Sequence, residues 1–528
     1  MANRRNSRTV LAISIFILTV AGFAQAHTFT VGDGAGYDFG TLQAGIDAAN
    51  RGDTVLVAPG EYVITEPITF RGKAITVRSE AGRDETTIRM GTPADTNRGS
   101  VVIFENNETL VSVLDGFTIT GGRRGSWFPS ENTWGGGGIL FDASSGTVRN
   151  CAIVQNRAKY GAGVGAYSGS FVTLIDCIVA GNSAEEGVGG VMCWKDSLAT
   201  LIDCTITGNS SVNQGGGVYC GGQDSSQKSS LTMTDCVVSG NSSADAGGGV
   251  ACWYGSLTLT RCAILNNTGG YYFGGGVYAG HGSATLTNCV IARNTAARGG
   301  GGVSSSHSGA FITISNCTIW GNSAGSECGG GGVLCRNASA MVTNSIIWGN
   351  TSAKGSEISV EDPASTLTIA YSDVAGGQTG VSVEGGCALD WGMGNINADP
   401  LFARLGYMDE NGTRDPLDDF WVDGDYRLKS KAGRWDPYSQ TWVQDDVTSP
   451  CIDAGDPMSP IGWESFPNGG FVNMGAYGGT PKASKSYFGE PVCETIVAGD
   501  INGDGQVNRA DLEIMALHWT DEEPLPLP

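Results

Sequence analysis

The clearest spacing with chemical meaning lies near the end of the chain, in the twelve residues 500–511. Side-chain oxygens fall at positions 1, 3, 5, 9 and 12, a backbone carbonyl falls at position 7, and Gly505 stands at the sharp turn. Such an oxygen set suits Ca²⁺, so we predict calcium as a cofactor; a solvated acidic loop is the alternative. The predicted ligands are Asp500, Asn502, Asp504, Gln506, Asn508 and Asp511.

A second group of residues could perform acid–base chemistry on a sugar polymer. A lyase needs a base beside a uronate carboxylate and a cation that stabilises the carbanion. A hydrolase needs paired carboxylates. The weak candidates for these catalytic roles are Arg123, Arg124, Lys159, Glu185, Glu186 and Asp245. The chain has no recognisable catalytic motif of either class.

Aromatic and basic residues recur just after a repeated valine, and two tryptophans lie in an insertion at residues 121–137. Aromatic faces stack on sugar rings, so we predict a substrate-binding surface; surface decoration without a ligand is the alternative. Two of the histidines could form a metal or proton-transfer pair, or could be ordinary surface residues. The predicted binding residues are Trp127, Trp134, Tyr167, Trp194, Lys195, Tyr219, Trp253, Tyr254, Tyr278, His281 and His307, with Tyr219 and Tyr278 projecting outward.

An internal repeat of 26 to 32 residues positions these side chains. It is marked by Cys151, Cys177, Cys204, Cys236, Cys262, Cys289 and Cys317, with Ser345 in the next slot. Five residues after each marker lies an asparagine: Asn156, Asn182, Asn209, Asn241, Asn267, Asn294, Asn322 and Asn350. Immediately before each marker lies Asn or Asp, including Asn344 before Ser345, and Arg261 is the lone exception.

The repeat predicts an all-β, right-handed parallel β-helix. Alternating stretches such as 311–315 indicate strands, Asn316 tolerates the left-handed backbone of a corner, and glycines open the next corner. We expect three short strands and three turns per coil, with equivalent residues stacked about 4.8 Å apart. Leucine-rich repeats need helices that are not seen here, propeller blades need about 40 residues, and collagen needs strict glycine spacing.

The same pattern gives most of the 15 cysteines a packing role. Buried Cys behaves as a small hydrophobe, and we predict an inward cysteine ladder at the repeat marker. A second inward ladder is Cys193, Cys220, Cys252 and Cys335. Disulfides between coils stay open, and no cysteine metal site is predicted.

The chain divides into six predicted parts. Residues 1–26 read as a signal peptide, with three arginines before an apolar run, so the mature chain would be secreted or at the cell surface. Its removal changes the net charge from −22 to −25, which disfavours nucleic acid as a partner. Residues 27–111 form the N-terminal cap, including a helix at 41–50, and the first coils. Regular coils follow at 112–376, an irregular C-terminal cap region at 377–492, the calcium loop and helix at 493–520, and a tail at 521–528. We predict no transmembrane segment in the mature chain.

Several segments resemble known families. Residues 53–62 resemble the first coil of pectate-lyase-like β-helix proteins. Segments 398–402, 449–455 and 473–479 resemble the C-terminal cap of secreted bacterial, planctomycete-like β-helix proteins. The calcium loop and its following helix resemble half of a dockerin, which implies Ca²⁺ and a cohesin-like or cell-surface partner; a second dockerin repeat is missing from the sequence.

Together these features favour a secreted protein that binds extracellular polysaccharide, such as a polyuronate, with cleavage by a lyase or glycoside hydrolase as an open question. A non-catalytic adhesin is the alternative, because the Gly-Gly-Gly-Val and Asn-x-Ala spacing also resembles polymorphic outer-membrane proteins.

Overall fold

The computed structural model describes residues 26–128, 133–271, 273–409, 420–422 and 424–487, together with Arg509 and Leu512. Within these residues the chain winds into a parallel β-solenoid whose coils pair with the next coil in sequence. The predicted all-β, β-helix architecture is therefore confirmed.

The first sheet has 14 strands in the described chain. They are Thr28–Val31, Thr54–Val57, Thr76–Ser79, Val113–Asp115, Gly146–Arg149, Phe171–Ile175, Leu198–Ile202, Ser230–Thr234, Ser256–Thr260, Ser283–Thr287, Phe311–Ser315, Ser339–Thr343, Thr366–Ala370 and Ala388–Trp391. The second sheet has 12: Gly60–Ile64, Thr86–Met90, Thr118–Thr120, Ala152–Val154, Ile178–Ala180, Thr205–Thr207, Val237–Ser239, Ala263–Leu265, Val290–Ala292, Thr318–Trp320, Ile346–Trp348 and Asp373–Val374.

The third sheet also has 12 strands in the described chain: Ile68–Thr69, Val102–Phe104, Ile139–Asp142, Val164–Tyr167, Val191–Trp194, Val218–Gly221, Val250–Trp253, Val277–Gly280, Val303–Ser306, Val333–Arg336, Ile358–Glu361 and Val381–Val383. A short sheet precedes it in seven coils: Arg157–Ala158, Ser183–Ala184, Ser210–Ser211, Ser242–Ser243, Thr268–Gly269, Thr295–Ala296 and Ser323–Ala324. The expected three strands per coil are thus wrong for these coils. The two residues after each ladder asparagine also pair with their neighbours.

The remaining elements lie outside these four sheets. They are the helix Leu42–Ala48, the 3-10 helix Gly377–Gly380, and antiparallel pairs of Ser126–Phe128 with Thr133–Gly135, Phe402–Arg404 with Asp425–Leu428, Tyr407–Asp409 with Phe420–Val422, and Arg434–Asp436 with Thr441–Val443. Thr41 caps the helix by accepting a hydrogen bond from the Ala44 N–H, and Leu42 and Ile46 are buried. The helix covers the first coils, as predicted.

The corner after the first sheet has the predicted left-handed backbone. The residues before the repeat markers all have φ between 47° and 55°, including Arg261 at 52°. Asn and Asp reach this conformation more easily than other side chains. The exception at Arg261 therefore changes the residue type and leaves the corner geometry intact.

Two ladders run through the interior. The marker cysteines and the second cysteine ladder are buried, and none of the fourteen described cysteines forms a disulfide. The asparagine ladder is also buried. From Asn182 onward, each amide oxygen accepts hydrogen bonds from the backbone N–H and the side-chain Nδ2 of the preceding asparagine, as between Asn209 and Asn241 at 3.0 and 2.9 Å. The ladder ends where Asn350 donates to the buried Glu357 carboxylate at 2.6 Å.

The C-terminal region differs from its predicted role as an end cap. It packs against the outer side of the second sheet, where Asn288 Nδ2 donates to the Gly478 carbonyl at 2.7 Å. Asn344 Oδ1 accepts from the Asp456 N–H at 2.7 Å. Met474 and Tyr426 bury apolar surface with Ile346 of that sheet. We call the described residues of 398–487 the lateral layer, because they cover a side of the solenoid.

Candidate functional site

An open groove of about 930 Å³ lies where the short sheet leads into the third sheet. Its lining contains eight of the residues predicted for catalysis or binding: Lys159, Glu186, Asp245, Tyr167, Trp194, Lys195, Tyr219 and Trp253. Tyr160, Asn213, Gln214 and Gln223 also line it. Residues far apart in the sequence meet here because the solenoid stacks equivalent positions of successive coils.

One wall of the groove is a row set by the short sheet. Ser183 pairs with Ser210, and Ser210 pairs with Ser242. Three residues beyond each lie Glu186, Asn213 and Asp245, so these occupy equivalent positions on three successive coils. We call this wall the polar row. At the ordinary strand spacing, Glu186 and Asp245 are about 9.6 Å apart along the stack.

Glu186 is held as a carboxylate. Its Oε2 accepts a hydrogen bond from the Tyr160 hydroxyl at 2.6 Å, and its Oε1 lies 3.2 Å from Lys159 Nζ. The hydrogen bond from Tyr160, followed by that from Lys159, lowers the pKa of Glu186. Burial and the bond to Glu186 raise the pKa of Tyr160 to about 12. Tyr160 therefore stays protonated and Glu186 stays ionised at neutral pH.

Asp245 has the opposite electrostatic environment. It is half-buried, and burial raises its pKa, although a hydrogen bond involving Gln214 partly offsets the effect. The groove thus contains one carboxyl whose pKa is lowered and one whose pKa is raised. Two carboxyls with pKa values pushed apart in this way are suited to separate base and acid roles.

The other wall is aromatic. Tyr167, Tyr219 and Tyr278 point away from the solenoid core, as predicted for the last two, but a second apolar cluster covers them and leaves them 1, 6 and 1 % exposed. Their predicted exposure is therefore wrong, because Met192, Trp194 and Trp253 pack over them. Trp194 and Trp253 stay partly exposed in the lining of the groove.

The predicted histidine pair lies beside this wall and outside the groove lining. The rings of His281 and His307 are 4.7 Å apart, and Trp253 lies 5.1 and 4.9 Å from them. Tyr254 stacks on His281 at 4.6 Å. His307 Nδ1 lies 2.8 Å from Ser306 Oγ and 3.3 Å from the Tyr278 hydroxyl. Burial lowers the pKa of His307, and the charge on His281 lowers it further, so a neutral, packed ring is favoured.

The remaining predicted residues are not brought into the groove. Glu185, Arg123 and Arg124 are exposed outside its lining. The insertion at 121–137 pairs Trp127 with Trp134 across an antiparallel ladder, and its Gly135 bridges to Tyr160 at one end of the groove. The side chains of Trp127 and Trp134, and the ligands predicted in the calcium loop, lie outside what the structure describes. Among the described residues no group of three or more His, Cys, Asp or Glu side chains is arranged to hold a metal.

Sequence reasoning missed Asn213, Gln214 and Gln223. The sequence does contain the information needed to find Asn213. A serine follows the ladder asparagine in both coils, and the third residue after that serine is Glu186 in one coil and Asn213 in the next. That count requires the short sheet, which the three-strand interpretation left out.

Comparison with known proteins finds matches at low sequence identity. Solved structures similar to this chain include a pectate lyase (14 % identity, 86 % of this chain and 97 % of the other, TM-score 0.40). Others are the A-module of an Azotobacter vinelandii mannuronan C-5 epimerase (15 %, 68 % and 94 %, 0.34) and a polygalacturonase from Erwinia carotovora (11 %, 74 % and 98 %, 0.29). No curated protein matches the chain in sequence. None of the helices in the described ranges is long and apolar enough to cross a membrane.

Two family models match the sequence. A model described as disaggregatase related matches residues 392–455, within and just before the lateral layer. The model described as right handed beta helix region matches residues 50–225, 100–276, 197–331 and 248–397, which together cover most of the chain. The chain therefore belongs to the right-handed β-helix family.

Proposed function

We propose that this protein binds an extended polysaccharide in the groove between the polar row and the aromatic wall. The observation that carries the proposal is the composition of this one open site. Partly exposed Trp194 and Trp253 can stack on sugar rings, while Asn213, Gln214 and Gln223 can hydrogen-bond to sugar hydroxyls. A groove that runs along stacked coils suits a polymer, since each coil adds one more subsite.

The charge of the groove informs the choice of polymer. Lys159 is paired with Glu186, and the groove lining contains one further lysine, Lys195, and one further carboxyl, Asp245. The whole chain is strongly acidic. A polyuronate therefore gains little from long-range attraction, and we expect neutral glycans to bind at least as well.

The split pKa values of Glu186 and Asp245 favour hydrolysis as the reaction of this site. In this proposal Glu186 takes a proton from a water molecule whose oxygen attacks the anomeric carbon. Asp245 gives its proton to the glycosidic oxygen as that bond breaks. Inverting enzymes keep their two carboxyls roughly 6.5–9.5 Å apart, which leaves room for a water molecule. The backbone positions that carry Glu186 and Asp245 are separated by about 9.6 Å along the stack.

Two further parts of the proposal concern location and attachment. We propose that the signal-peptide-like residues 1–26 direct the chain out of the cell and that the loop at 500–511 binds Ca²⁺ and attaches the protein to a cohesin-like or cell-surface partner. Calorimetry on the Asp500→Ala, Asp504→Ala double variant tests the loop. We expect it to bind one Ca²⁺ fewer than the parent, and unchanged uptake would contradict the assignment.

Incubation with a panel of neutral glycans and polyuronates tests the function. Retention with new reducing ends supports binding with hydrolysis. Retention with new absorbance from an unsaturated uronate replaces hydrolysis with elimination. Retention without product restricts the function to binding, as in the adhesin alternative, and no retention of any glycan contradicts the proposal.

A further inference from the structure

The register of the polar row continues past the groove. In the short sheet, Ser242 pairs with Thr268 of the next coil. Tyr271 is the third residue after Thr268, just as Asp245 is the third residue after Ser242. Tyr271 therefore occupies the position equivalent to Asp245 one coil further along the stack, outside the groove lining.

Backbone contacts place Tyr271 directly beside this end of the groove. Its N–H donates to the carbonyl of Ala244, the residue before Asp245, at 2.9 Å. A Cβ on Gly270 would overlap that carbonyl oxygen, so only glycine lets the two coils approach this closely. The positions of Tyr271 and Asp245 are therefore about 4.8 Å apart along the stack, which is one strand spacing.

The side chain of Tyr271 is exposed, and a cation lies against its ring. The residue is 64 % exposed. The guanidinium carbon of Arg298 lies 5.4 Å from the centre of this ring and 5.6 Å from that of buried Phe273. Arg298 also forms an ion pair with Glu327 at 2.8 Å. Because a cation over an aromatic ring is a favourable contact, Arg298 restricts where the exposed ring can lie.

The aromatic wall reaches the same coil. Trp253 pairs with Gly280, which belongs to the coil of Tyr271. A Cβ on Gly280 would lie 2.5 Å from the Trp253 ring, so the missing side chain lets that ring lean across the next coil. A polymer that leaves the groove between Asp245 and Trp253 therefore has an aromatic residue on each side of its path.

We propose that Tyr271 forms a further sugar-binding subsite, which extends the binding surface one coil beyond the groove and makes the protein selective for long glycan chains. This inference rests on the proposed function of the groove. An aromatic ring presents an apolar face on which a sugar ring can stack. Since the charge of Arg298 is already paired with Glu327, the subsite recognises the ring of a sugar and responds to chain length more than to glycan charge.

Binding as a function of chain length tests this proposal. The probes are size-fractionated oligosaccharides, made by partial acid hydrolysis of the panel polysaccharide that the protein retains. Calorimetry uses the full chain with Asp245→Asn, which prevents cleavage during the titration. Tyr271→Ala in this background should weaken binding of the longest oligosaccharides about 2- to 12-fold and leave binding of the shortest ones unchanged. Tyr271→Phe keeps the ring and should bind the whole series as the parent does.

The matched control is Tyr438→Ala, because Tyr438 is 73 % exposed in the lateral layer and Arg404 lies 5.0 Å from its ring centre. It should bind every length as the parent does. Tyr271→Leu, which also removes the ring, replaces Tyr271→Ala if that variant does not fold by circular dichroism. Unchanged binding of long oligosaccharides without the ring, or equal weakening at every length, would overturn the subsite and leave the groove as the binding site. Binding of none of the probes would contradict the proposed function, and this inference with it.

Discussion

The asparagine ladder and the polar row lie on the same coils, a few residues apart, and use their residues in opposite ways. The ladder repeats one side chain in eight successive coils and buries it behind hydrogen bonds between neighbouring coils. The polar row of Glu186, Asn213 and Asp245 is in register with Tyr160 on the coil before it, and the side chain changes at each step. Recurrence therefore marks what holds the solenoid together, and variation at equivalent positions marks where a ligand can be recognised.

The largest effect is expected on stability, from a substitution that breaks the asparagine ladder. Asn241→Ala removes the oxygen that accepts from Asn209 and leaves buried donors and carbonyls unpaired, since Asn241 Nδ2 also donates to the Ile206 carbonyl at 2.9 Å. We expect a loss of roughly 2–5 kcal/mol, because each unpaired buried group costs about 1–3 kcal/mol. Denaturant unfolding measures it. Asn213→Ala, the exposed asparagine of the polar row, is the control and should change stability little.

Next in size is the effect of Asp245→Asn on hydrolysis. Removing a general acid should lower kcat roughly 100- to 1,000-fold and leave glycan affinity within about 3-fold, because the amide keeps the size and the hydrogen-bonding capacity of the side chain. Burial raises the pKa of Asp245, so wild-type activity should fall as the pH rises through that pKa. Asp235→Asn, whose carboxylate pairs with Arg261 outside the groove, should retain full activity. Equal activity of Asp245→Asn and wild type would remove Asp245 from the mechanism.

A smaller effect is expected in the aromatic wall. Trp194→Ala should weaken glycan binding about 10- to 30-fold through lost stacking, since aromatic anchors carry much of the energy of such contacts. Affinity electrophoresis with the retained glycan measures the change. Phe311→Ala, an exposed aromatic residue on the first sheet, should bind as wild type. Equal weakening by the two variants would show that the binding surface is not the groove.

The last prediction concerns the pH dependence of stability at the end of the asparagine ladder, where Glu357 accepts from Asn350. Burial raises the pKa of Glu357 to about 7, although its bonds to Asn350 oppose the shift. A carboxyl with a raised folded-state pKa stabilises the protein below its unfolded pKa, and this contribution is lost as the pH rises from about 4.3 to about 7.

Glu357→Gln keeps an acceptor for Asn350 and removes the titration. Relative to wild type, its free energy of unfolding should therefore improve by about 1–3 kcal/mol between pH 4.5 and 7.5, at about 1.4 kcal/mol per pKa unit. Unfolding curves at the two pH values measure this difference. Parallel pH dependence of the two proteins would show that Glu357 titrates normally.

The difference between repeated and variable positions also explains how much of this structure the sequence predicts. The cysteine and asparagine registers predict the solenoid, its left-handed corners and its inward residues. They do so because stacked coils make the same contact at equivalent positions, which therefore carry the same residue type. The short sheet was missed because two-residue strands leave no alternation to detect. The lateral position of residues 398–487 was missed because it depends on surface contacts, such as Asn288 with Gly478, that no local pattern encodes.

The site was predictable in part for a related reason. Lys159, Glu186 and Asp245 were found by matching corners, and the structure places them in one groove. The cover over Tyr167 and Tyr278 depends on how Met192, Trp194 and Trp253 pack across coils, which is tertiary information. The opposite pKa shifts of Glu186 and Asp245 also depend on their neighbours and burial, and neither residue type reveals them.

Hydrogen exchange of the full chain, with and without the glycan that it retains, tests whether the groove is the binding site. We expect slower exchange in peptides that cover residues 186–195, 213–223 and 245–254, and unchanged exchange in the lateral layer. Protection confined to the lateral layer, or to the first sheet, would contradict the assignment of the groove as the binding site.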